Sequence, residues 1–313
     1  MMSFRLVPDQ TKVPFLSFRK IAMALSGLFA LISIALLPTM GLNFGIDFKG
    51  GTMIEVRMPG EAADIAAMRT NLNGLGLGEV ALQQVDQPVD VLIRVEKQEE
   101  DQGDQQAVSL IKQSLAEEFG DDIDYRRVET VGAKVSDELY LASAEAVTFA
   151  LIAILAYIWF RFEWQFAVAS IVALVHDVLL TLGLFSLLGL EFNLAIVAAL
   201  LTIVGYSLND TVVVFDRVRE NLRKYKKMPL VDLLDRSLND TLARTLMTSV
   251  TTLLALGALY VFGGPVIRDF TFALIWGVLI GTYSSIFIAS PILLYLNLRA
   301  ESVALPDAAK ETP

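Results

Sequence analysis

Six apolar runs, each long enough to cross a bilayer, constrain this chain more than any other feature. A hydrocarbon core ~30 Å thick takes ~20 apolar residues as a helix, because lipid offers no partner to a free backbone N–H or C=O. The runs are roughly Phe18–Leu37, Ala142–Phe160, Phe166–Leu188, Phe192–Phe215, Thr245–Phe262 and Val266–Leu296, the last long enough to tilt strongly or to run past the interface. With 54% hydrophobic and only 19% charged residues, the chain predicts a polytopic α-helical membrane protein with six transmembrane helices. The first run has Arg19 and Lys20 at its start but is too long for a leader. The Leu37-Pro38-Thr39-Met40 segment is a poor cleavage site, so an uncleaved anchor is expected.

Lys and Arg in the short flanks set the orientation. Arg5, Lys12, Arg19 and Lys20 precede or open the first span, Arg161 separates the second from the third, and eight basic residues lie between Arg217 and Arg244. With six spans all of these fall on one side, which is read as the cytoplasm, together with both termini. The predicted division is a cytoplasmic N-terminus 1–17, helix one over 18–38, a periplasmic domain 39–137, helices two to six over 138–298 with a basic cytoplasmic segment 217–244, and a cytoplasmic tail 299–313. The outer segment holds 9 basic and 19 acidic residues, so the whole net charge of −10 resides there.

Within the outer segment, period and turn signals give an order of elements. Phe44–Met58 alternates and stops at Pro59-Gly60, as a strand would; Ala62–Leu72 has helical spacing. Val80–Gln84 and Val89–Val95 are strand-like around an Asp86-Gln87-Pro88 turn, Ala107–Phe119 is an amphipathic helix, and Ile123–Val131 is a closing strand. The order β-α-β-β-α-β predicts an α+β, ferredoxin-like sandwich. Its acidic residues are read as a solvated face.

Several chemistries are closed off. There is no Cys and a single His, His176, so no thiolate cluster, multi-histidine metal site or cysteine nucleophile is expected, and no metal is assigned. An acidic balance argues against nucleic acid as a partner. No GxxxxGK[ST], G-x-S-x-G or H-E-x-x-H motif is present, so the chain is read as non-enzymatic and without a cofactor, its energy coming from elsewhere. Protons crossing the membrane potential would supply ~2.3 kcal/mol per 100 mV, and buried titratable groups are what that route requires.

Such groups exist. Asp210 lies six residues inside the fourth run counted from Asp216, ~9 Å at the helical rise. Thr202, Tyr206, Asn209, Val213 and Asp216 make one stripe of that helix, with Asp210 beside it. Arg244 opens the fifth run, with Thr248, Thr251 and Thr252 on its face; it is either the partner of Asp210 or Asp216 or an interfacial anchor. His176-Asp177 falls mid-way along the third run, either as a proton relay or as a hydrogen-bonded pair that holds helices. Glu145 and Glu163 lie near span ends. Gly277-x-x-x-Gly281, followed by Ser284 and Ser285, forms a small-residue face for close helix packing. Pro229–Leu242 reads as an amphipathic helix lying on the inner membrane face or docking a partner.

Four stretches carry a resemblance to a known family: Phe44-Gly45-Ile46-Asp47-Phe48-Lys49-Gly50-Gly51-Thr52, the segment 205–221 (GYSLNDTVVVFDRVREN), Arg244-Thr245-Leu246-Met247-Thr248-Ser249, and Phe262-Gly263-Gly264-Pro265. Together they resemble the SecF family of protein-export membrane proteins, within the resistance-nodulation-division superfamily. The resemblance runs from the first span to the last. It implies half of a resistance-nodulation-division type bundle with SecD as the other half, using the proton-motive force to assist late preprotein translocation across a bacterial inner membrane. The implied partners are SecD, the Sec translocon channel with its accessory membrane subunits, and unfolded preprotein on the periplasmic side. In that family the aspartate of the NDT motif and the arginine opening span five belong to the proton pathway, and they fall here on Asp210 and Arg244. The glycine-rich motif after helix one falls on Gly45, Asp47, Gly50 and Gly51. Two rival readings stay open: half of a proton-driven exporter of small hydrophobic molecules or lipids, and a passive translocon scaffold.

Overall fold

The computed structural model describes residues 11–85, 87–98, 103–296 and 298. Arg5, Asp86, most of the N-terminal segment 1–17 and the tail 299–313 lie outside the described residues. A 3-10 turn (Phe15–Phe18) leads into α1 (Arg19–Thr39), followed by β1 (Asn43–Phe44), α2 (Ile46–Lys49), β2 (Gly51–Arg57), α3 (Ile65–Asn73), β3 (Val80–Gln84), β4 (Asp90–Val95), α4 (Gly103–Phe119) and β5 (Asp124–Val131). Then come α5 (Ala133–Arg161), α6 (Trp164–Leu188), β6 (Glu191–Phe192), α7 (Leu194–Lys224) and α8 (Leu230–Phe262). After a second 3-10 turn come α9 (Arg268–Ser284), a π-helical stretch (Ser285–Ala289) and α10 (Ser290–Tyr295). Among the described residues six helical segments are long and apolar enough to cross a membrane, the sixth running from Arg268 to Tyr295.

The chain divides into two compact units. The first, Met1–Leu42 with Val147–Leu190 and Ala195–Pro313, contains the membrane helices. Half of the apolar window of α6 and of α7 is buried within the chain, against 6% of that of α5, so α6, α7 and the sixth span make the interior. Near one end Phe162, Phe166 and Phe215 meet edge-on or tilted, Phe166 and Phe215 with centroids 5.0 Å apart, and Leu233, Leu234 and Val218 complete that core.

Pro229–Leu242 does not form a separate helix on the membrane surface. It is the first part of α8, a single helix of 33 residues. No Gly or Pro interrupts Leu230–Leu256, and Leu233, Leu234 and Leu238 turn into the protein core rather than toward lipid. The basic segment 217–244 is accordingly helical at both ends, with only the turn 225–229 between α7 and α8.

The second unit comprises Asn43–Ala146 and Glu191–Leu194. This differs from the 39–137 read from hydropathy, because α5 begins nine residues before Ala142, inside the outer unit. Its sheet has the order β3-β4-β2-β5, all neighbours antiparallel, with Ile54 opposite both Ile93 and Val128. The chain order β2-α3-β3-β4-α4-β5 in that arrangement is the ferredoxin-like sandwich. Ile54, Val56, Ile93, Met68, Ile111 and Leu115 form its core, α3 and α4 covering one face of the sheet. A small parallel pair, β1 with β6, joins Phe44 to Phe192, far apart in the sequence.

Phe44–Met58 is not one strand. Gly50 at φ +72° and Gly51 at φ +108° break the pleat, and Ile46–Lys49 coils into a helical turn before β2 starts. The strand that follows is buried at every position from Gly51 to Val56, on both faces of the sheet, so its burial does not alternate.

One buried charge in this unit makes a pH prediction. Asp90 is 2% exposed and accepts from Arg57 Nε at 2.7 Å and Nη2 at 2.9 Å, and from Arg126 Nη1 at 3.3 Å. The hydrogen bond from Arg57 is the largest influence on its carboxyl and, with both guanidinium charges, holds it below the usual carboxylate range against the opposing effect of burial. A depressed folded value gives stability that is fully present above the ordinary carboxylate pKa, ~3.9, and is lost as pH falls through the lower folded value. Acid unfolding of the outer sheet in the full chain should therefore be less steep in Asp90→Asn than in the wild type, read as thermal midpoint against pH below 4.

Candidate functional site

The interior of the membrane unit is held close by small residues. A Cβ on Gly277 would fall 2.2 Å from Ile203 Cγ1, and one on Gly281 3.0 Å from Ser207 Cβ, so α9 lies directly on α7. Gly183 of α6 likewise faces Ser33 of α1. Two carboxylates are buried in this seam.

Asp210, on α7, is 7% exposed. Its Oδ1 accepts from Thr245 Oγ1 of α8 at 2.6 Å and its Oδ2 from Ser285 Oγ at 2.5 Å. Asp177, on α6, is fully buried. Its Oδ2 accepts from Ser207 Oγ of α7 at 2.6 Å and Ser284 Oγ of α9 at 2.8 Å, and its Oδ1 lies 3.0 Å from His176 Nδ1. The His176 ring stacks on Tyr283 at 6.3 Å, and its Nε2 is buried without a hydrogen-bond partner among the described residues. Tyr283 in turn exchanges a hydrogen bond with Ser26 of α1 at 2.9 Å.

The hydrogen bonds to Asp210 come from hydroxyls alone, and those to Asp177 from two hydroxyls and the His176 ring. A hydroxyl can donate to a charged carboxylate and accept from a protonated one, whereas an ammonium or guanidinium can only donate. Such a pocket can hold either charge state with its hydrogen bonds filled.

The other residues singled out by sequence fall elsewhere. Arg244 is exposed on α8 and makes no hydrogen bond or ion pair with Asp210 among the described residues; its neighbour Thr245 takes that place. Asn209 and Thr202 are exposed as well, about 100° around α7 from the buried face of Ile203, Ser207 and Asp210. Asp216 lies within α7, where both its oxygens accept from Nη2 of Arg161, the last residue of α5, at 2.9 and 3.0 Å. Ser284 and Ser285, read as packing residues, are the donors to the two buried carboxylates. Thr245 and Ser207 were missed. The signal for Ser207 was present: it lies three residues before Asp210, on the same helix face.

The glycine-rich motif forms a second constellation, in the outer unit. Asp47 Oδ2 accepts from the backbone N–H of Leu194 at 2.9 Å, placing a carboxylate at the first residue of α7, where helix amides lack partners and the dipole favours negative charge. Gly45 donates to Phe192 C=O at 2.9 Å, and a Cβ there would meet the Glu191 carboxylate at 2.4 Å. Glu191 also pairs with Arg94. The motif therefore fixes the start of the helix that carries Asp210.

Comparison with known proteins bears directly on this arrangement. Residues 111–299 match the family described as "Protein export membrane protein SecD/SecF, C-terminal", and residues 35–58 match the "SecD/SecF GG Motif". The chain is 46% identical over 289 residues to a protein translocase subunit SecF of Rickettsia rickettsii, covering 92% of this chain and 93% of that one. It is 44% identical over 291 residues to the subunit of the same name from Desulfurispirillum indicum, covering 92% of each. Among solved structures it resembles SecDF, a translocon-associated membrane protein from Thermus thermophilus, with a TM-score of 0.85 and 37% identity. That match covers 94% of this chain and 40% of the longer SecDF chain. A SecDF structure in a super-membrane-facing form matches with a TM-score of 0.63 at 34% identity, covering 96% of this chain and 40% of that one.

Proposed function

The chain belongs to the SecF family of SecD/SecF protein-export membrane proteins, and from that premise we propose that it is the proton-coupled half of a translocation device, with Asp210 as the coupling carboxyl. It is a subunit of a protein translocase, a membrane transport component. The observation that carries the coupling role is a carboxylate buried among Thr245 and Ser285 hydroxyls inside a membrane span, where a group that only held helices together would be satisfied by an amide.

SecD is the other half. Asn209 and Arg244 are exposed on α7 and α8 at or near membrane depth, where lipid cannot satisfy them, so they face a second protein's helices; Thr202 beside them is satisfied by donating to Ala198 C=O at 2.8 Å. Arg244 then answers Asp210 from that shared seam, after a helix rotation or through the partner's own carboxyl. His176-Asp177 serves as a relay, Asp216 closes the pathway beside Arg161, and no catalytic step or cofactor is involved beyond the proton. The protein sits in the bacterial inner membrane with both termini cytoplasmic. The ferredoxin-like domain engages unfolded preprotein on the periplasmic side beside the translocon channel.

Complementation tests this. In cells lacking the native copy, the chain with SecD should restore precursor processing, and a protonophore should remove the gain. Unchanged precursor processing, with altered tolerance to hydrophobic drugs instead, would identify a small-molecule exporter and overturn the export reading.

A further inference from the structure

Ser284 and Ser285 are consecutive, fully buried, and bound to different carboxylates. Neighbouring residues on a helix point ~100° apart, so one position of the sixth span reaches α6 and the next reaches α7. The junction between α9 and the π-helical stretch falls between them, and Ser290 Oγ ties the widened turn by donating to Ser285 C=O at 2.9 Å. Single π turns inside α-helices recur at functional sites.

Each serine also has a second acceptor on its own helix. Ser284 Oγ lies 3.1 Å from Gly281 C=O, and Ser285 Oγ lies 3.0 Å from Thr282 C=O. A hydroxyl carries one proton and serves one of these acceptors fully at a time. Facing a charged carboxylate it donates to it. Facing a protonated one it turns back to its helix carbonyl and accepts the acid's O–H, and no buried polar atom is stranded in either state.

The two carboxylates are also anchored to one helix. Ser207, which holds Asp177, precedes Asp210 by three residues on α7, about one turn. The groups facing Asp210 are Thr245 of α8 and Ser285, with the Arg244 charge nearby on α8; those facing Asp177 are His176, Ser207 and Ser284.

We propose that Ser284 and Ser285 are positioning residues that link the charge states of Asp177 and Asp210 through paired hydroxyl reorientation, making Asp177 a second proton station. This rests on Asp210 being the coupling carboxyl. A proton from water joins an Asp210 oxygen, the Ser285 O–H turns from Asp210 to Thr282 C=O, and the new acid O–H donates to Ser285 Oγ. Release reverses each movement. Ser284 and Ser285 flank the same junction of α9 with the π-helical stretch, and it is the tightening of that junction as Ser285 bonds Thr282 C=O that alters the donor Asp177 sees.

The test uses the full chain in complex with SecD, treated with a hydrophobic carbodiimide, which modifies protonated carboxyls, and mass spectrometry of the adduct at Asp210 across pH. Ser284 touches Asp177 and not Asp210. Ser284→Ala and Asp177→Asn should each move the midpoint of Asp210 modification by about one pH unit, a tenfold change in the proton equilibrium, and Ser284→Thr should restore it. Unmoved midpoints in both variants, while Asp210→Asn still abolishes coupling, would overturn the link and leave the coupling reading standing. Asp210 modification with no pH dependence at all would bring down both.

Discussion

Asp210→Asn should remove the proton-driven part of export while leaving the protein folded. The amide keeps an oxygen to accept from Thr245 and offers an N–H to Ser285 Oγ, so both of the contacts now made at 2.6 and 2.5 Å can be replaced. Volume and packing between α7, α8 and the sixth span stay nearly constant. What is lost is titration. A proton crossing 100 mV supplies about 2.3 kcal/mol, roughly a 50-fold bias on an equilibrium, and that bias should vanish. Precursor processing should fall to the level of protonophore-treated wild type, and the uncoupler should then add little. Glu220→Gln is the matched control: its carboxylate is 60% exposed and paired with Arg217 on the same helix, and such pairs contribute about 0–1 kcal/mol, so processing should change little. Normal, fully uncoupler-sensitive export by Asp210→Asn would make Asp210 structural and support the passive scaffold.

The second large effect is expected at Gly51. Its φ is +108°, and a Cβ would fall 2.3 Å from the carbonyl oxygen of Val95, the neighbouring strand's backbone. Backbone strain of about 1–3 kcal/mol and an overpacking term of similar size add at Gly51→Ala. A domain whose total stability is of order 5–15 kcal/mol loses a large fraction of it. Gly60 separates the two causes, since it has φ +101° but open space around it, leaving strain alone. Limited proteolysis of the outer domain should show Gly51→Ala cleaved well before Gly60→Ala. Equal sensitivity would mean that the approach to Val95 is relieved by strand movement.

The reach of sequence reasoning followed the range of the physics. Hydropathy is local, and lipid demands that every backbone group be satisfied within a segment, so the six spans and the β-α-β-β-α-β order were legible residue by residue. Asp210 and His176-Asp177 were legible because burying a charge in a membrane is costly wherever its partners lie. Long-range closure was not. The β1–β6 pair joins residues almost 150 positions apart, and nothing near Asp47 announces that it caps Leu194. The continuity of α8 was obscured by an amphipathic stretch whose leucines pack on protein rather than lipid.

The sequence by itself determined that this chain crosses a membrane six times, carries one acidic α+β domain, and buries carboxylates on two spans. Only the tertiary structure decided what those carboxylates touch. Arg244 and Thr245 are neighbours on one helix, and a rotation of ~100° exchanges them at Asp210. That phase is held by Ser249, one turn further along α8, whose hydroxyl bonds Thr282 of α9 at 2.7 Å and Tyr206 of α7 at 3.3 Å. Periodicity names a face of a helix. The neighbouring helices choose which side chain on it meets the charge.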